Sequence, residues 1–146
     1  MRVALEPPNA QDQFYLIRTV SLMDVLDHED LARRKSESIE DAYHLYWFSR
    51  RDDGVLAFHA PEFYLENGIV NFINGRHRTL LLCRYLTEFP MALTEMDGYP
   101  ICSPSPSESS VKVLSEISIR RLSGQEIFCF PDLPTGYLGY DQNIGK

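Results

Sequence analysis

Short apolar runs separated by turn residues dominate this chain, and their spacing predicts strands that alternate with helices. FYLIRTVSL at 14–22 mixes aromatic and β-branched residues and predicts a strand. VLAFH at 55–59 predicts a second strand, which is entered through the turn pair Asp53-Gly54. The piece between these two strands has its apolar residues at helical spacing instead.

Two helical pieces are predicted in that intervening stretch. In the first, Ser21 or Asp24 is placed to cap a turn around residues 25–26. In the second, Ser38 and Asp41 have the spacing of a capping box in its weaker aspartate form. The apolar face of the second helix consists of Ile39, Ala42, Tyr43, Tyr46 and Trp47.

A β-hairpin and then a helix are predicted in the middle of the chain. The β-rich runs 62–65 and 69–73 flank Glu66-Asn67-Gly68, and Asn-Gly between such runs is the strongest short-range indication of a hairpin. After Asn74-Gly75, the sequence RHRTLLLCRYLTEF has the apolar spacing of an amphipathic helix. The apolar stripe of that helix consists of Leu82, Tyr85, Leu86 and Phe89.

The end of this helix predicts a return to the sheet. Pro90 is expected to stop the helix. MALTEM at 91–96 then predicts a short strand beside the preceding strand, because a strand–helix–strand unit of this length suits a crossover connection.

The C-terminal part of the chain is predicted to contain loops and short strands. SPSPSESS at 103–110 is rich in proline and serine and predicts a polar loop. VKVLSEISI at 111–119 alternates as a half-buried strand does, and a helix over 111–122 is the competing interpretation. EIFCF at 126–130 predicts another strand, and the glycine- and proline-rich tail is expected to be irregular.

These elements predict one α+β domain, a small mixed β-sheet with helices. The chain has 146 residues, which suits a single core. The expected boundaries are an irregular lead-in at 1–13, a core at 14–102, the Ser/Pro loop at 103–110, and C-terminal strands and tail at 111–146 in the same domain.

Composition and charge restrict the partners. The hydrophobic content of 44% and the charged content of 24% are ordinary for a globular protein. The net charge of -7 disfavours nucleic-acid binding through bulk electrostatics, so a phosphate-binding surface has to be a local basic patch. No apolar segment has the length of a signal peptide or the ~18 residues of a membrane span, which predicts a cytoplasmic protein with no membrane partner.

The cysteines favour reduced, structural thiols. Cys83, Cys102 and Cys129 form no CxxC pair, and an odd count disfavours both a disulfide framework and a zinc site built on thiolates. Cys83 is expected to be buried in the helix that follows Gly75.

Three side chains that can carry positive charge stand where the predicted hairpin turns into the predicted helix. The first N–H groups of a helix have no intrahelical partners and lie at the positive end of its dipole, so a glycine that feeds a helix makes an anion site. Gly75 lets the backbone approach a phosphate closely. Arg76 and Arg78 would add bidentate donors, and His77 would donate to an oxygen or transfer a proton. The hydroxyl of Thr79 would reach a phosphate or a metal-bound water.

A structural explanation of the same residues stays open. Arginines near a helix start also pair with acidic neighbours on the surface, and this chain is acidic. His77 would then be a hydrogen-bonding residue of the fold, as we expect of His44 and His59.

INGRHRTLLLCRYLTEFPMALTEM resembles the Gly-x-His-Arg turn and the following helix and strand of the ParB/sulfiredoxin superfamily. FYLIRTVSLMDVLDHEDLARRKSESIEDAYHL resembles the opening strand, basic loop and helix of the same superfamily, so the resemblance covers roughly residues 14 to 96. It implies a ParB/sulfiredoxin-like fold. The superfamily includes proteins that bind ATP or CTP, DNA-partitioning proteins and nucleases.

Carried over by position, the resemblance implies a nucleotide site at the 74–79 turn, the segment from Asn74 to Thr79. Gly75, His77 and Arg78 match the phosphate-binding motif, and His77 and Arg78 would be the catalytic residues of a hydrolase. A basic loop would face the same phosphates. Arg33, Arg34 or Lys35 would supply the basic side chain of that loop.

The sequence departs from the superfamily pattern in two ways, and each departure argues against one of the superfamily's functions. Sulfiredoxins carry their reactive cysteine where this chain has Arg76, which argues against peroxiredoxin repair. The chain is expected to lack the helix-turn-helix domain that partitioning proteins add. The layout therefore resembles the plasmid fertility-inhibition proteins, which block conjugative DNA transfer.

The resulting expectation is a nucleotide-binding protein of a plasmid or other mobile element, with ATP or another nucleotide and Mg²⁺ as ligands. Whether it is an ATPase, a nuclease or no enzyme stays open, and DNA or a conjugation or partition protein is an expected further partner. One alternative is a metal-dependent nuclease, for which Asp52, Asp53 and Glu66 would have to converge. Another is a non-catalytic inhibitor whose acidic surface binds a partner. No residues are assigned as dedicated metal ligands.

Overall fold

The computed structural model describes residues 2–6, 11–26, 48–50, 53–101, 105–124 and 126–129. These ranges form ten strands and three helices. The strands are β1 (Arg2–Glu6), β2 (Gln13–Arg18), β3 (Phe48–Arg50), β4 (Leu56–His59), β5 (Glu62–Glu66), β6 (Ile69–Asn74), β7 (Glu88–Met96), β8 (Tyr99–Pro100), β9 (Ser118–Leu122) and β10 (Ile127–Cys129). The helices are α1 (Thr19–Asp24), α2 (Arg76–Tyr85) and α3 (Glu108–Ile117).

The strands form two mixed sheets, which agrees with the predicted α+β class. The larger sheet has the order β6-β5-β7-β2-β9, and β8 pairs with the end of β7. Within it β5 and β7 are parallel, and the other neighbours are antiparallel. The smaller sheet has the order β10-β1-β4-β3, with β1 and β4 parallel.

The predicted hairpin is confirmed as β5 and β6. Its ladder closes at the pair Glu66–Ile69, next to the two-residue turn. Both turn residues have positive φ, 52° at Asn67 and 78° at Gly68, as a turn that follows the twist of two antiparallel strands requires. The strand prediction at 55–59 is also confirmed, as β4, and so is that at 126–130, as β10.

One hydrophobic cluster joins the two sheets. Val3 and Phe58 of the smaller sheet belong to the same cluster as Phe14 and Leu93 of the larger one. Cys83 is buried in this cluster, as predicted. Burial of a large apolar side chain contributes about 1.5–3 kcal/mol, so this shared core is the main stabilising feature of the described fold.

The strand prediction over 111–119 is wrong for its first part. Residues 111–117 belong to α3, which the competing interpretation anticipated, and only from Ser118 does the chain become strand β9. The helix is favoured over the strand because Ser107 caps its N-terminus. The Ser107 side chain accepts a hydrogen bond from the Ser110 amide, and the negative charge of Glu108 lies in the first turn. The Ser/Pro loop therefore ends at Ser107.

The irregular lead-in predicted at 1–13 is also wrong. Its first part is the strand β1, whose Val3, Ala4 and Leu5 are all buried, and Gln13 already belongs to β2. Periodicity missed β1 because all three of its central residues are buried, so nothing alternates.

The prediction that Pro90 stops α2 is wrong, because α2 ends at Tyr85 and Pro90 lies inside β7. The proline is tolerated there since β7 pairs only with β2 at that point, and its pairing with β5 begins at Ala92. Strand β7 also lies beside β5 and not beside β6, the preceding strand, so the connection through α2 passes over one strand.

The strand predicted at 14–22 ends early. Strand β2 stops at Arg18, and α1 begins at Thr19 and ends at Asp24, where the sequence predicted a helix to start. Thr19 fixes this change of direction because its amide and hydroxyl donate to the carbonyls of Thr87 and Leu86, at 2.9 and 2.6 Å. The helix predicted around Ser38 and Asp41, and the irregular tail, lie outside the described residues.

Candidate functional site

The 74–79 turn has the strand–glycine–helix backbone that the sequence predicts. Asn74 is the last residue of β6, and Gly75 is the N-cap of α2. The backbone of Gly75 has φ 91° and ψ 24°, a left-handed conformation that costs other residues about 1–2 kcal/mol. Glycine is therefore required for this strand to pass directly into this helix.

The first turn of α2 has an unusual charge pattern. It contains Arg76, His77 and Arg78, no acidic residue, and no side-chain cap. A cation at the positive end of a helix dipole is unfavourable by about 0.3–1 kcal/mol. An anion bound at this end would remove that repulsion and would meet the amide groups of the first turn.

Thr79 stabilises the turn through two hydrogen bonds to the backbone of Gly75. The residue is fully buried, and both its amide and its hydroxyl donate to the carbonyl of Gly75, each at 2.9 Å. The expected contact of this hydroxyl with a phosphate does not fit its position in the structure. Its role here is to fix the carbonyl of the N-cap glycine.

The structure describes only some of the other residues that the sequence predicts for the site. Arg76 is half-buried, and it has a polar or electrostatic contact within the protein. His77 and Arg78 lie in α2, but their side chains are outside the described part of the structure. The basic loop is outside it as well. The loop residues concerned are Arg33, Arg34 and Lys35.

The structure places a pair of carboxyl groups, buried Glu62 and partly buried Asp12, beside the turn, and the sequence analysis missed this pair. Glu62 on β5 is opposite Asn74 in the ladder, and it is only 4% exposed. Burial, and then the charge and hydrogen bond of Asp12, raise the pKa of Glu62. The same surroundings make the charged form of Glu62 less favourable than that of a solvent-exposed carboxyl group.

A second polar cluster joins three turns and has a structural role. The carboxylate of Asp97 accepts hydrogen bonds from the amide of Asn67 (2.6 Å), the amide of Ser107, and the hydroxyl of Ser110 (3.0 Å). The amide of Gly68 in turn donates to the Ser110 hydroxyl at 2.9 Å. Burial raises the pKa of Asp97, but these hydrogen bonds outweigh it and lower the pKa to about 2.

The carboxylates proposed for a nuclease do not form a cluster in the described residues. The side chain of Asp53 accepts a hydrogen bond from the amide of Val55 at 3.0 Å, as a turn residue does. Glu66 is exposed beside the hairpin turn, and Asp52 lies outside the described residues. In the part of the chain that the structure describes, no group of three or more potential metal ligands is present.

Comparisons with known proteins returned no match to a family model, to a curated protein or to a solved structure. Within the described ranges, no helix has both the length and the apolar character to cross a bilayer.

Proposed function

We propose that this protein binds the phosphates of a nucleotide, ATP or a related one, at the 74–79 turn, with Mg²⁺ as a further ligand that would offset phosphate charge. The observation that carries the proposal is the charge pattern of α2. Basic residues follow a left-handed glycine at the positive end of the helix, and the first turn itself contains no acidic residue and has no side-chain cap. Phosphate is the ligand that amide groups and arginines in this arrangement favour.

The resemblance of residues 14–96 to the ParB/sulfiredoxin superfamily supports the same ligand. We propose a ParB/sulfiredoxin-like fold on this basis, and a role on a plasmid or other mobile element, with inhibition of conjugative transfer as the specific form. Gly75, His77 and Arg78 match the superfamily motif.

Isothermal titration calorimetry tests this proposal. The purified protein is titrated with ATP, CTP and ADP, with and without Mg²⁺, beside two arginine variants of the same helix. Arg78→Ala removes a cation of the first turn. Arg84→Ala removes an exposed cation of the last turn and is the matched control.

We expect saturable binding that Arg78→Ala weakens at least about tenfold, since a hydrogen bond to a charged group contributes about 1.5–3 kcal/mol. Arg84→Ala should leave the affinity unchanged. No saturation with any of the three nucleotides would overturn the proposal and favour the non-catalytic interaction protein. Equal losses in both variants would show that binding does not use the 74–79 turn.

A further inference from the structure

Strand β6 is an edge strand whose ladder with β5 is regular from Ile69 to Phe72 and contains a bulge at Ile73. It lies at the end of the larger sheet, and among the described residues no strand pairs with its outer side. Its sequence, IVNFIN, contains no charged residue, no proline and no glycine. Ile69 and Ile73 are each 49% exposed. Edge strands of this kind are templates for pairing with another strand.

The hairpin register determines which backbone groups of β6 point outward. Next to a two-residue turn the pair Glu66–Ile69 exchanges hydrogen bonds, and the pattern alternates along an antiparallel ladder. Asn71 therefore bonds inward to β5, whereas Val70 and Phe72 present their N–H and C=O groups outward. The bulge in this ladder lies beyond Phe72 and leaves both of these residues in the regular part.

We propose that two copies of this chain form a weak two-fold dimer through antiparallel pairing of their β6 strands, centred on Asn71. In this register Val70 is opposite Phe72 of the partner subunit, so the outward groups of both strands bond to each other. Ile69 is opposite Ile73 of the partner subunit. The contact is self-complementary, as a closed two-fold interface requires, and it pairs the outer edge of β6, which no strand of the described residues occupies.

The absence of charge on β6 supports a second copy as the occupant, and the small size of the contact sets the strength of the pairing. The chain carries a net charge of -7, but β6 itself is uncharged, so two copies meet there without opposing like charges. One strand from each copy buries much less than the roughly 1,600 Å² of a standard stable interface. The dimer should therefore be weak and depend on concentration. It does not depend on the proposed nucleotide binding.

Sedimentation velocity tests the pairing and its register, over protein concentrations from about 1 µM to about 1 mM, where weak complexes dissociate. Two double variants share the substitution Ile69→Lys. With Ile73→Lys, like charges are opposite each other across the proposed interface. With Ile73→Glu, opposite charges meet at the same positions. Val20→Lys, at a 71% exposed site on α1, controls for added charge elsewhere.

We expect a concentration-dependent dimer of the unmodified chain and of Val20→Lys. The lysine–lysine variant should dimerise at least about tenfold more weakly, and the lysine–glutamate variant should dimerise in a salt-sensitive way. Circular dichroism of each variant establishes that the fold is retained. A monomer at all concentrations, growth beyond a dimer, or equal dimerisation of the two double variants would overturn the proposal.

Discussion

The charge of Asp97 connects separate segments of the described structure. Its carboxylate accepts hydrogen bonds from the β5–β6 turn and from the start of α3, which are distant in sequence. The amide of Ser107 and the hydroxyl of Ser110 would otherwise lose a partner in a partly buried position. The residue also has a positive φ of 53°, a conformation that asparagine and aspartate tolerate better than most side chains.

The substitution Asp97→Asn should lower the midpoint of thermal unfolding at pH 7 by several degrees, because the amide cannot accept as many hydrogen bonds. The folded pKa of Asp97, about 2, is below the usual value of about 3.9. The stabilisation is thus complete above about pH 4 and is lost as the pH falls toward 2. Melting curves from pH 7 to pH 2 should show the wild type and the variant converging at acid pH.

The control for that experiment is Asp24→Asn, at an exposed site at the end of α1. An exposed substitution of this kind is expected to change stability by no more than about 0.5 kcal/mol. A constant difference between wild type and Asp97→Asn at every pH would contradict the assigned role of the charge.

At the scale of elements, the turn that begins α2 depends on its glycine. We expect Gly75→Ala to destabilise the fold by about 1–2 kcal/mol, because alanine at φ 91° brings its Cβ against the backbone. Urea unfolding gives this difference. Gly124→Ala is the matched control, since its added Cβ meets nothing within 4 Å and its φ is not in the left-handed range. A neutral Gly75→Ala variant would mean that the turn can adopt another backbone conformation.

Sequence alone predicted those elements whose determinants are local. The hairpin follows from Asn67-Gly68, and the start of α2 follows from Gly75. The predicted apolar stripe of α2 was wrong in its second half, because Leu86 is the C-cap and Phe89 belongs to β7. The segment of α3 was predicted as a strand because VKVLSEI fits both the strand period of two residues and the helical period of 3.6 residues. The cap at Ser107 is what favours the helix over the strand. The carboxyl pair of Asp12 and Glu62 could not be predicted, because the fold brings together residues that are far apart in sequence.

At the scale of the whole molecule, the two sheets share one hydrophobic cluster. Phe58 of the smaller sheet and Leu93 of the larger sheet are both fully buried within it. Small domains with one core usually unfold in a single cooperative step. A cavity in either sheet should therefore destabilise both sheets together.

Phe58→Ala and Leu93→Ala test this cooperativity. We expect losses of about 3–5 and about 2–5 kcal/mol, from the lost transfer free energy and the cavity left behind. Urea unfolding followed by circular dichroism and by tyrosine and tryptophan fluorescence should give one coincident transition for each variant, with the midpoint lowered and the slope unchanged. Val20→Ala, at an exposed site, should change stability by no more than about 0.5 kcal/mol. If Phe58→Ala instead separated the two probes into distinct transitions, the smaller sheet would be an independent unit, and the shared cluster would not couple the sheets.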